Sequence, residues 1–378
     1  MERHEEVFFS LLRSAMWGTP AEIPHDFKEW GRVFNLAKSQ SVLALVADVV
    51  LSDREINSRF SEKTQEKLRS FMMANMMTSD RLSLLIVKYV SLLRDSDIAP
   101  VLMKGHSLAQ YYPKPKLRQC GDIDLYVGVK NYEKAYEVMK KSSDSIDDPE
   151  VLKIGQHFSS FKGGLEIEVH RYAEIYPSRK LNVVYQVFSK NGLATGLVPM
   201  IIDGVSVNTP SDTYNCYYLF SHLFNHFLSG GIGFRQLMDW ALFIFNRSER
   251  LNIPELEDMI KRMGMMRPWQ AFGCVLVKYL NLPAESFPFY NAYYEEKDVD
   301  KIARTILDEG NFGHQRDVHT KKRGHYFIDK TRSFFGHISR TVGLFSLFPF
   351  LVFRRFFFTM YNRFSKVLAD IRICIKKK

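Results

Sequence analysis

The sequence predicts an α+β fold in which helical regions lie on both sides of a sheet-forming core. Residues 1–97 carry apolar residues at helical spacing, and residues 98–208 contain short runs that alternate apolar and polar residues, as strands do. A Thr-Pro-Ser-Asp segment at 209–212 then begins a second helical region. We therefore divide the chain into an N-terminal helical region, an α/β core, a helical domain at 209–310 and a basic, aromatic-rich tail at 311–378.

Individual elements follow from local patterns. The last N-terminal helix is predicted from apolar residues three or four positions apart: Leu82, Leu85, Ile86, Tyr89 and Leu93. No catalytic residue is expected in this region. Within the core, residues 131–142 are predicted to form a helix, and residues 200–207 a hairpin that turns at Asp203-Gly204, because Asp-Gly favours tight turns.

Asp122 and Asp124 follow Arg118 in the stretch RQCGDIDLYV. In a strand, alternate side chains share a face, so the two carboxylates would lie together while Ile123 and Leu125 point to the other side. Such a pair of like charges is unfavourable without a cation, and Mg²⁺ held opposite substrate phosphates is the usual compensation. The alternative is an exposed strand face with two solvated acids.

A second acidic strand is predicted at 165–170, where Glu166, Glu168 and His170 alternate with apolar residues and therefore share one face. Gly163-Gly164 precedes it and indicates a β-hairpin with the residues from His157 onward. Three or four carboxylates on adjacent strands are what a two-metal phosphoryl or nucleotidyl transfer site requires.

The segment Lys104-Gly105-His106-Ser107 joins a short apolar run to a helical pattern. A strand, a Gly turn and a helix start leave backbone N–H groups free for an anion, and Ser107 is a candidate N-cap. Lys104 adds a positive charge there. An ordinary strand-to-helix connection is the alternative. Arg118 could reach a phosphate or pair with one of the acids.

Two pairs of polar residues mark the helical domain. His222 and His226 are spaced i, i+4, a spacing that can bind zinc, but no third ligand is evident and packed or hydrogen-bonded histidines are the alternative. Arg235 and Asp239 have the same spacing. They could form a surface ion pair or, for Arg235, flank a nucleotide cleft.

Taken in order, Lys104-Gly105, Tyr112-Pro113, Arg118, Gly121-Asp122-Ile123-Asp124-Leu125 and Glu168-Val169-His170 resemble a bacterial family of uncharacterised nucleotidyltransferases in the DNA polymerase β superfamily. The resemblance spans roughly residues 82–239. It implies a small mixed sheet with helices on one side, two Mg²⁺ ions and an NTP at Asp122, Asp124 and Glu168. The superfamily has Gly-Gly or Gly-Ser after its first strand, whereas His106 follows Gly105 here, so the group that holds the triphosphate is left open.

Composition narrows the possible classes of protein. The chain has 378 residues with 46% hydrophobic content, which is enough for a sizeable core and two globular units. Its four cysteines lie far apart, so neither a zinc site nor a disulfide framework is indicated. The charged N-terminus is unlike a signal peptide, and no uncharged apolar run approaches the ~20 residues of a membrane span. A cytoplasmic protein is expected.

The net charge of +10 belongs to the tail, because residues 314–378 hold fifteen Lys or Arg and three Asp or Glu. Residues 341–353 are apolar and uncharged, and basic and aromatic residues follow them. This combination suits the interface of an anionic membrane, on its inner face for a cytoplasmic protein. The alternative is a hydrophobic helix that packs on the protein and has a solvated basic end.

These observations predict an Mg²⁺-dependent nucleotidyltransferase that moves an NMP from an NTP to an unidentified acceptor hydroxyl or phosphate. Asp122, Asp124 and Glu168 would form the catalytic and metal site, and phosphate-binding residues are predicted at Lys104, Gly105, Ser107, Arg118, Gly121 and Arg235. His170 would orient Glu168 or the acceptor. A degenerate transferase fold that binds a membrane or a partner is the alternative. No nucleic-acid partner is expected, because the basic residues lie outside the acidic core.

Overall fold

The computed structural model describes residues 1–176, 178–311, 344–349 and 351–353, and it confirms the α+β fold class. Five helices precede the sheet, as the helical pattern of the N-terminal region predicts: α1 (Arg3–Trp17), α2 (Trp30–Ser39), α3 (Leu43–Ser52), α4 (Arg54–Ser58) and α5 (Glu62–Arg94). In α5, the predicted apolar stripe is buried at Leu82, Ile86, Tyr89 and Leu93. This stripe turns the C-terminal half of α5 towards the sheet.

Seven strands form one mixed sheet within the described residues: β1 (Val101–Met103), β2 (Asp122–Tyr126), β3 (Ser145–Ile146), β4 (His157–Lys162), β5 (Leu165–His170), β6 (Val198–Ile202) and β7 (Val205–Thr209). Their order is β3-β4-β5-β2-β1-β7-β6. The β2–β5 and β1–β7 pairs are parallel, and the other pairs are antiparallel. The order brings β2, the strand of Asp122 and Asp124, to the middle of the sheet.

The two faces of the sheet belong to different hydrophobic clusters. Ile123, Leu125, Ile167 and Val169 pack with α5 and with α6 (Gly128–Lys140) in one cluster. Met103, in contrast, joins the larger cluster built by the helices at the two ends of the chain. Alternation along each strand therefore sends apolar residues towards α5 and α6 and leaves the acidic residues on the opposite face.

Two predicted hairpins are confirmed. β4 and β5 are joined through Gly163 and Gly164, whose φ angles of +57° and +77° lie in the left-handed region that glycine adopts without steric cost. β6 and β7 turn at Asp203 and Gly204, where both φ angles are positive, as a tight hairpin turn requires. Each turn fixes the register of its own hairpin, and the first one aligns the side chains of β4 with those of β5.

Seven further helices complete the described fold: α7 (Val151–Ile154), α8 (Arg179–Gly192), α9 (Asp212–Ser229), α10 (Phe234–Arg247), α11 (Ile253–Arg262), α12 (Met266–Leu280) and α13 (Glu296–Glu309). Aromatic residues dominate the packing between α9, α10 and α12, with Phe220, Trp240 and Trp269 all within 5.0 Å centroid to centroid. This rigid block carries α9 and α10 across the acidic face of the sheet.

Part of the tail lies within the described residues. Leu344, Leu347, Phe348, Leu351 and Val352 are buried in the larger hydrophobic cluster, and the Phe348 ring packs edge-on against Phe224 of α9 at 5.4 Å. This segment therefore packs on the protein. The basic residues of 354–378 lie outside the described residues, so their contact with a membrane stays a prediction. No described helix is long and apolar enough to cross a membrane.

Candidate active site

The parallel pairing of β2 with β5 brings four carboxylates to one face of the sheet. Asp122 lies opposite Glu166, and Asp124 lies opposite Glu168. The shared face was predicted from the alternation within each strand, whereas the direct pairing of the two strands depends on the tertiary fold. Two rows of acids side by side are unfavourable unless cations lie between or beside them.

Asp124 is the most deeply buried of these acids, with 1% of its surface exposed. Its Oδ1 lies 3.0 Å from Lys104 Nζ and 3.0 Å from His170 Nε2. Burial opposes ionisation of Asp124, but Lys104 and His170 outweigh that cost and hold the pKa of the carboxyl well below its usual range. Its Oδ2 is buried and has no hydrogen-bond partner among the described residues. One oxygen of a charged carboxylate is therefore open to a ligand.

Glu168 lies between two imidazoles. His170 Nε2 is 3.1 Å from Glu168 Oε2, and His157 Nε2 is 3.7 Å from Glu168 Oε1. Burial would raise the pKa of Glu168, but the hydrogen bond from His170 outweighs it and the pKa is lowered. Burial likewise opposes a charge on His170, whose pKa is nonetheless raised by hydrogen bonds to Asp124 and Glu168. His170 thus contacts two of the three predicted catalytic acids, Asp124 and Glu168.

Asp122 lines three neighbouring cavities. The smallest of them, of about 60 Å³, is also bordered by Asp124, Arg118 and Asp239. The larger cavity, of about 680 Å³, is bordered by the acids Asp122, Glu166 and Glu168 and by Arg235 and Phe71. The histidine-lined cavity, of about 330 Å³, is bordered by Asp122, His157, Glu168, Glu174 and His222. Burial and the neighbouring Asp124 raise the pKa of Asp122. Its negative charge is therefore the least compensated of the group, which favours binding of a cation.

The turn after β1 differs from its prediction. A 3-10 helix begins at Gly105, and its N-cap residue is Lys104, so the N-cap prediction for Ser107 is wrong. The Ser107 hydroxyl donates to the Lys104 carbonyl at 2.9 Å and is buried. Gly105 has a φ of +53°, which L side chains rarely adopt, while a Cβ there would make only ordinary contacts, such as 3.9 Å to Asp124 Oδ2. In this arrangement Lys104 forms an ion pair with Asp124, and the hydrogen bond of Ser107 stabilises the turn.

Arg118 is bound inside the protein. Its Nε and Nη2 donate to Asp239 Oδ1 and Oδ2 at 2.9 and 2.6 Å, and Tyr112 Oη donates to Oδ1 at 2.7 Å. Only 3% of Arg118 is exposed. The sequence left open whether Arg118 pairs with an acid or reaches phosphate; it pairs with Asp239, an acid far away in the chain. Asp239 therefore pairs with Arg118. It does not form the surface ion pair with Arg235 that their i, i+4 spacing suggested.

Arg235 keeps part of its guanidinium open. Its Nη1 donates to the Gln119 carbonyl at 2.7 Å, while its buried Nε has no partner among the described residues. The side chain lines the larger cavity beside Asp122 and Gly121. Three of the residues predicted to bind phosphate border the cavities and are not paired with an acidic side chain. They are Arg235, Gly105 and Gly121. Contact with phosphate stays a prediction for all six.

No sequence pattern indicated Glu174, a buried carboxylate in an irregular segment after β5. Glu174 accepts hydrogen bonds from Ser221 Oγ at 2.6 Å and Asn225 Nδ2 at 3.1 Å, both on α9. His222 Nδ1 lies 3.6 Å from Glu174, and His222 Nε2 lies 3.5 Å from Lys104 Nζ. Burial and the Lys104 charge lower the pKa of His222. His222 therefore lines the cavity and links Glu174 with Lys104 through its two ring nitrogens.

Comparison with known proteins identifies a family for this chain. Residues 26–281 match a family described as uncharacterised nucleotidyltransferases, which is more than half of the chain. The chain belongs to this family. The family match covers β1 to β7 and α9 to α12, so it includes every predicted site residue. The resemblance stated from the sequence motifs is confirmed.

Among solved structures, the chain aligns with the crystal structure of an antigenic nucleotidyltransferase-like protein from Paracoccidioides brasiliensis. The alignment covers 55% of this chain and 92% of that chain, at 16% sequence identity and a TM-score of 0.29. No curated protein matches the chain.

Proposed function

We propose that this protein is an Mg²⁺-dependent nucleotidyltransferase that moves an NMP from an NTP to an acceptor hydroxyl or phosphate and releases pyrophosphate. The observation that carries the proposal is the face shared by Asp122, Asp124 and Glu168 on the paired strands β2 and β5. Family membership supports the reaction class. Transfer of a nucleotidyl group needs such clustered carboxylates, because the charge of the triphosphate must be met by metal ions.

The donor set suits Mg²⁺, which prefers carboxylate oxygens. The buried Oδ2 of Asp124 has no partner, and Asp122 lines the cavities with a poorly compensated charge. Asp122, Asp124 and Glu168 would therefore hold the two ions. When bound, the ions would lower the pKa of the acceptor group and neutralise the charge that develops on the pyrophosphate.

We assign the nucleotide to the larger cavity. It combines a guanidinium that is only partly hydrogen-bonded, that of Arg235, with the aromatic ring of Phe71 and the amide of Asn75. A cation suits phosphates, and an aromatic ring beside an amide suits a base. A cavity of about 680 Å³ also has the size usual for a ligand of nucleotide dimensions.

The acceptor is assigned to the histidine-lined cavity. Glu168 and Glu174 border it, and the ammonium group of Lys104 is already paired with Asp124. The carboxylates and imidazoles of this cavity can accept a proton, which suits an acceptor that must lose one. The acceptor oxygen would form a bond to the α-phosphorus as the bond to the β-phosphate oxygen breaks. Its proton would pass to Glu168, which is ionised at neutral pH as an ordinary glutamate is, since its pKa is lowered and not raised in the folded protein.

The direct test incubates the full chain with each labelled NTP and Mg²⁺ in an extract of small molecules and proteins. We expect label to appear in a product and pyrophosphate to be released with at least one NTP. Glu168→Gln should lower the rate at least about a hundredfold, on the scale usual for a general base, and Glu166→Gln much less. Glu166 is the matched control because it lies on the same face of β5, two residues away. Equal losses, or no transfer by a folded protein, would refute the assignment.

One observation favours a second candidate, a degenerate fold that binds a partner without catalysis. Lys104 and His170 already neutralise Asp124, so the folded protein does not need a metal ion at this acid. If the acids no longer bind metal, Mg²⁺ should leave the melting temperature of the parent protein unchanged. A rise in melting temperature with Mg²⁺ that is absent in Asp122→Asn would favour the transferase, because only a ligand of the native state stabilises it.

A further inference from the structure

A second group of ligands stands beside the carboxylates, on the strand pair β4–β5. His157 and His170 are direct cross-strand partners, and Glu168 lies two residues before His170 on the same face. The ligand atoms of these three side chains all lie within 4.8 Å of one another. Neither the sequence motifs nor the family resemblance includes His157. The hairpin brings it to the site from a strand that carries none of the predicted residues.

The spacing of the donor atoms suits a single ion. A transition metal with ligands about 2.0–2.2 Å away separates neighbouring ligand atoms by roughly 3–3.5 Å. Glu168 Oε2 is 3.1 Å from His170 Nε2, and Glu168 Oε1 is 3.7 Å from His157 Nε2. The His157 side chain is 39% exposed, so a small rotation can adjust its distance. The group therefore needs little rearrangement to close on an ion.

Both imidazoles approach Glu168 through Nε2 and not through Nδ1. His170 is 97% buried, as 3% of its surface is exposed, yet its Nδ1 has no hydrogen-bond partner among the described residues. The buried Nδ1 of His157 also has none, and the two rings lie 4.9 Å apart. An ion bound at Nε2 of these rings would take the place of the Nε2 proton and its hydrogen bonds, and it would leave Nδ1 unchanged.

The donor set selects the class of metal. Two imidazoles and one carboxylate suit Mn²⁺, Fe²⁺, Co²⁺ or Zn²⁺, whereas Mg²⁺ prefers oxygen ligands alone. The cavity of about 330 Å³ beside the group leaves room for further ligands from solvent or substrate. We propose that His157, Glu168 and His170 form a transition-metal site at the acceptor side of the cleft. Its use during transfer rests on the proposed function, but its binding of metal does not.

Co²⁺ provides a probe that reports binding without any activity measurement. The full chain, freed of metal by chelation, is titrated with Co²⁺ and followed by visible absorption, then challenged with Zn²⁺ and with Mg²⁺. We expect one saturable site whose absorption bands disappear with one equivalent of Zn²⁺ and persist in excess Mg²⁺. His157→Gln should weaken the Kd for Co²⁺ at least tenfold, because one of three protein ligands is lost. Glu166→Gln, on the same face but outside the group, should leave the Kd unchanged.

The outcomes separate this proposal from the proposed function. Absence of saturable Co²⁺ binding, or equal binding by the parent and by a folded His157→Gln variant, would overturn the metal site even if Mg²⁺-dependent transfer is found. Retention of the Co²⁺ site in a protein that transfers no nucleotide would support the site and refute the transferase. Loss of Co²⁺ binding in both His157→Gln and Glu166→Gln would also overturn the assigned ligand set.

Discussion

Asp124 and Asp239 are both buried aspartates beside a buried cation, and they differ in how completely their oxygens are hydrogen-bonded. Arg118 binds both oxygens of Asp239, and Tyr112 adds a third hydrogen bond. Lys104 and His170 both approach one oxygen of Asp124, and its Oδ2 has no partner. Both oxygens of Asp239 are hydrogen-bonded, so we call this carboxylate saturated. One oxygen of Asp124 has no hydrogen bond among the described residues, so we call this carboxylate open.

The difference separates a structural ion pair from a binding site. A buried charge with every polar atom satisfied has nothing left to offer a ligand and holds the surrounding elements in place. A buried oxygen without a partner costs free energy in the ligand-free protein, and a bound cation would recover that cost. The saturated pair joins the loop before β2 to α10, and it borders the same small cavity as the open acid and Asp122, so the two sites differ in hydrogen bonding and not in position.

The largest effect should follow from breaking the saturated pair. Asp239→Asn leaves the guanidinium of Arg118 buried without a counter-charge, which costs about 3–5 kcal/mol of unfolding free energy. Asp258→Asn is the matched control, because its ion pair with Arg262 is exposed and worth less than about 1 kcal/mol. Denaturant unfolding of the two variants measures both values. Equal losses would show that the Arg118–Asp239 pair is not the structural element described above.

The open cluster should respond in activity more than in stability. Asp122→Asn should lower the transfer rate at least a hundredfold, about 2.7 kcal/mol in activation free energy, without lowering the melting temperature, because it removes the least compensated negative charge. Asp124→Asn should lose activity too. Relief of the repulsion between two acids would by itself leave Asp124→Asn as stable as the parent, but Asp124 is the counter-charge of Lys104, so this variant should be less stable.

Thermal melting with and without Mg²⁺ distinguishes the two variants. We expect Asp122→Asn to melt at or above the parent temperature and to lose the stabilisation by Mg²⁺, and Asp124→Asn to melt below it. If Asp122→Asn melts several degrees lower and Mg²⁺ does not stabilise the parent, Asp122 is a structural residue and the contrast with Asp239 fails.

A smaller effect is expected from His106, which lies in the 3-10 helix after β1 with its Nε2 3.0 Å from Ser83 Oγ. Burial and the nearby Arg118 lower the pKa of His106 to about 4, from an ordinary value of 6.5. The folded state thus favours neutral His106, so its contribution is present above pH 6.5 and is lost as the pH falls towards 4. Since one pKa unit corresponds to about 1.4 kcal/mol and His106 is only partly buried, the loss should be roughly 2 kcal/mol.

Unfolding curves between pH 7 and pH 4 test this expectation. His106→Gln should flatten the decrease in stability across that range, while His25→Gln, whose imidazole is 92% exposed, should follow the parent. If the unfolding free energy of the parent and that of His106→Gln fall in parallel with pH, His106 is not the cause of the acid sensitivity.

Much of the acidic face was predictable because its signals are local. Asp122 and Asp124 share a face through the period of two along a strand, and Glu166, Glu168 and His170 do so for the same reason. The hairpins at Gly163-Gly164 and Asp203-Gly204 follow from turn residues that tolerate positive φ. Such patterns are set by neighbours one to four positions apart, so the sequence alone contains them.

Only the tertiary structure decided which charges meet. Arg118 stands four residues from Asp122 in the sequence, yet it binds Asp239, 121 positions away. His157 joins Glu168 through the register of a hairpin, and Glu174 reaches its partners on α9 from an irregular segment. Each of these contacts depends on how helices and strands pack across the sheet. Contacts over such separations leave no periodic trace along the chain, because the geometry that joins them is created by folding itself.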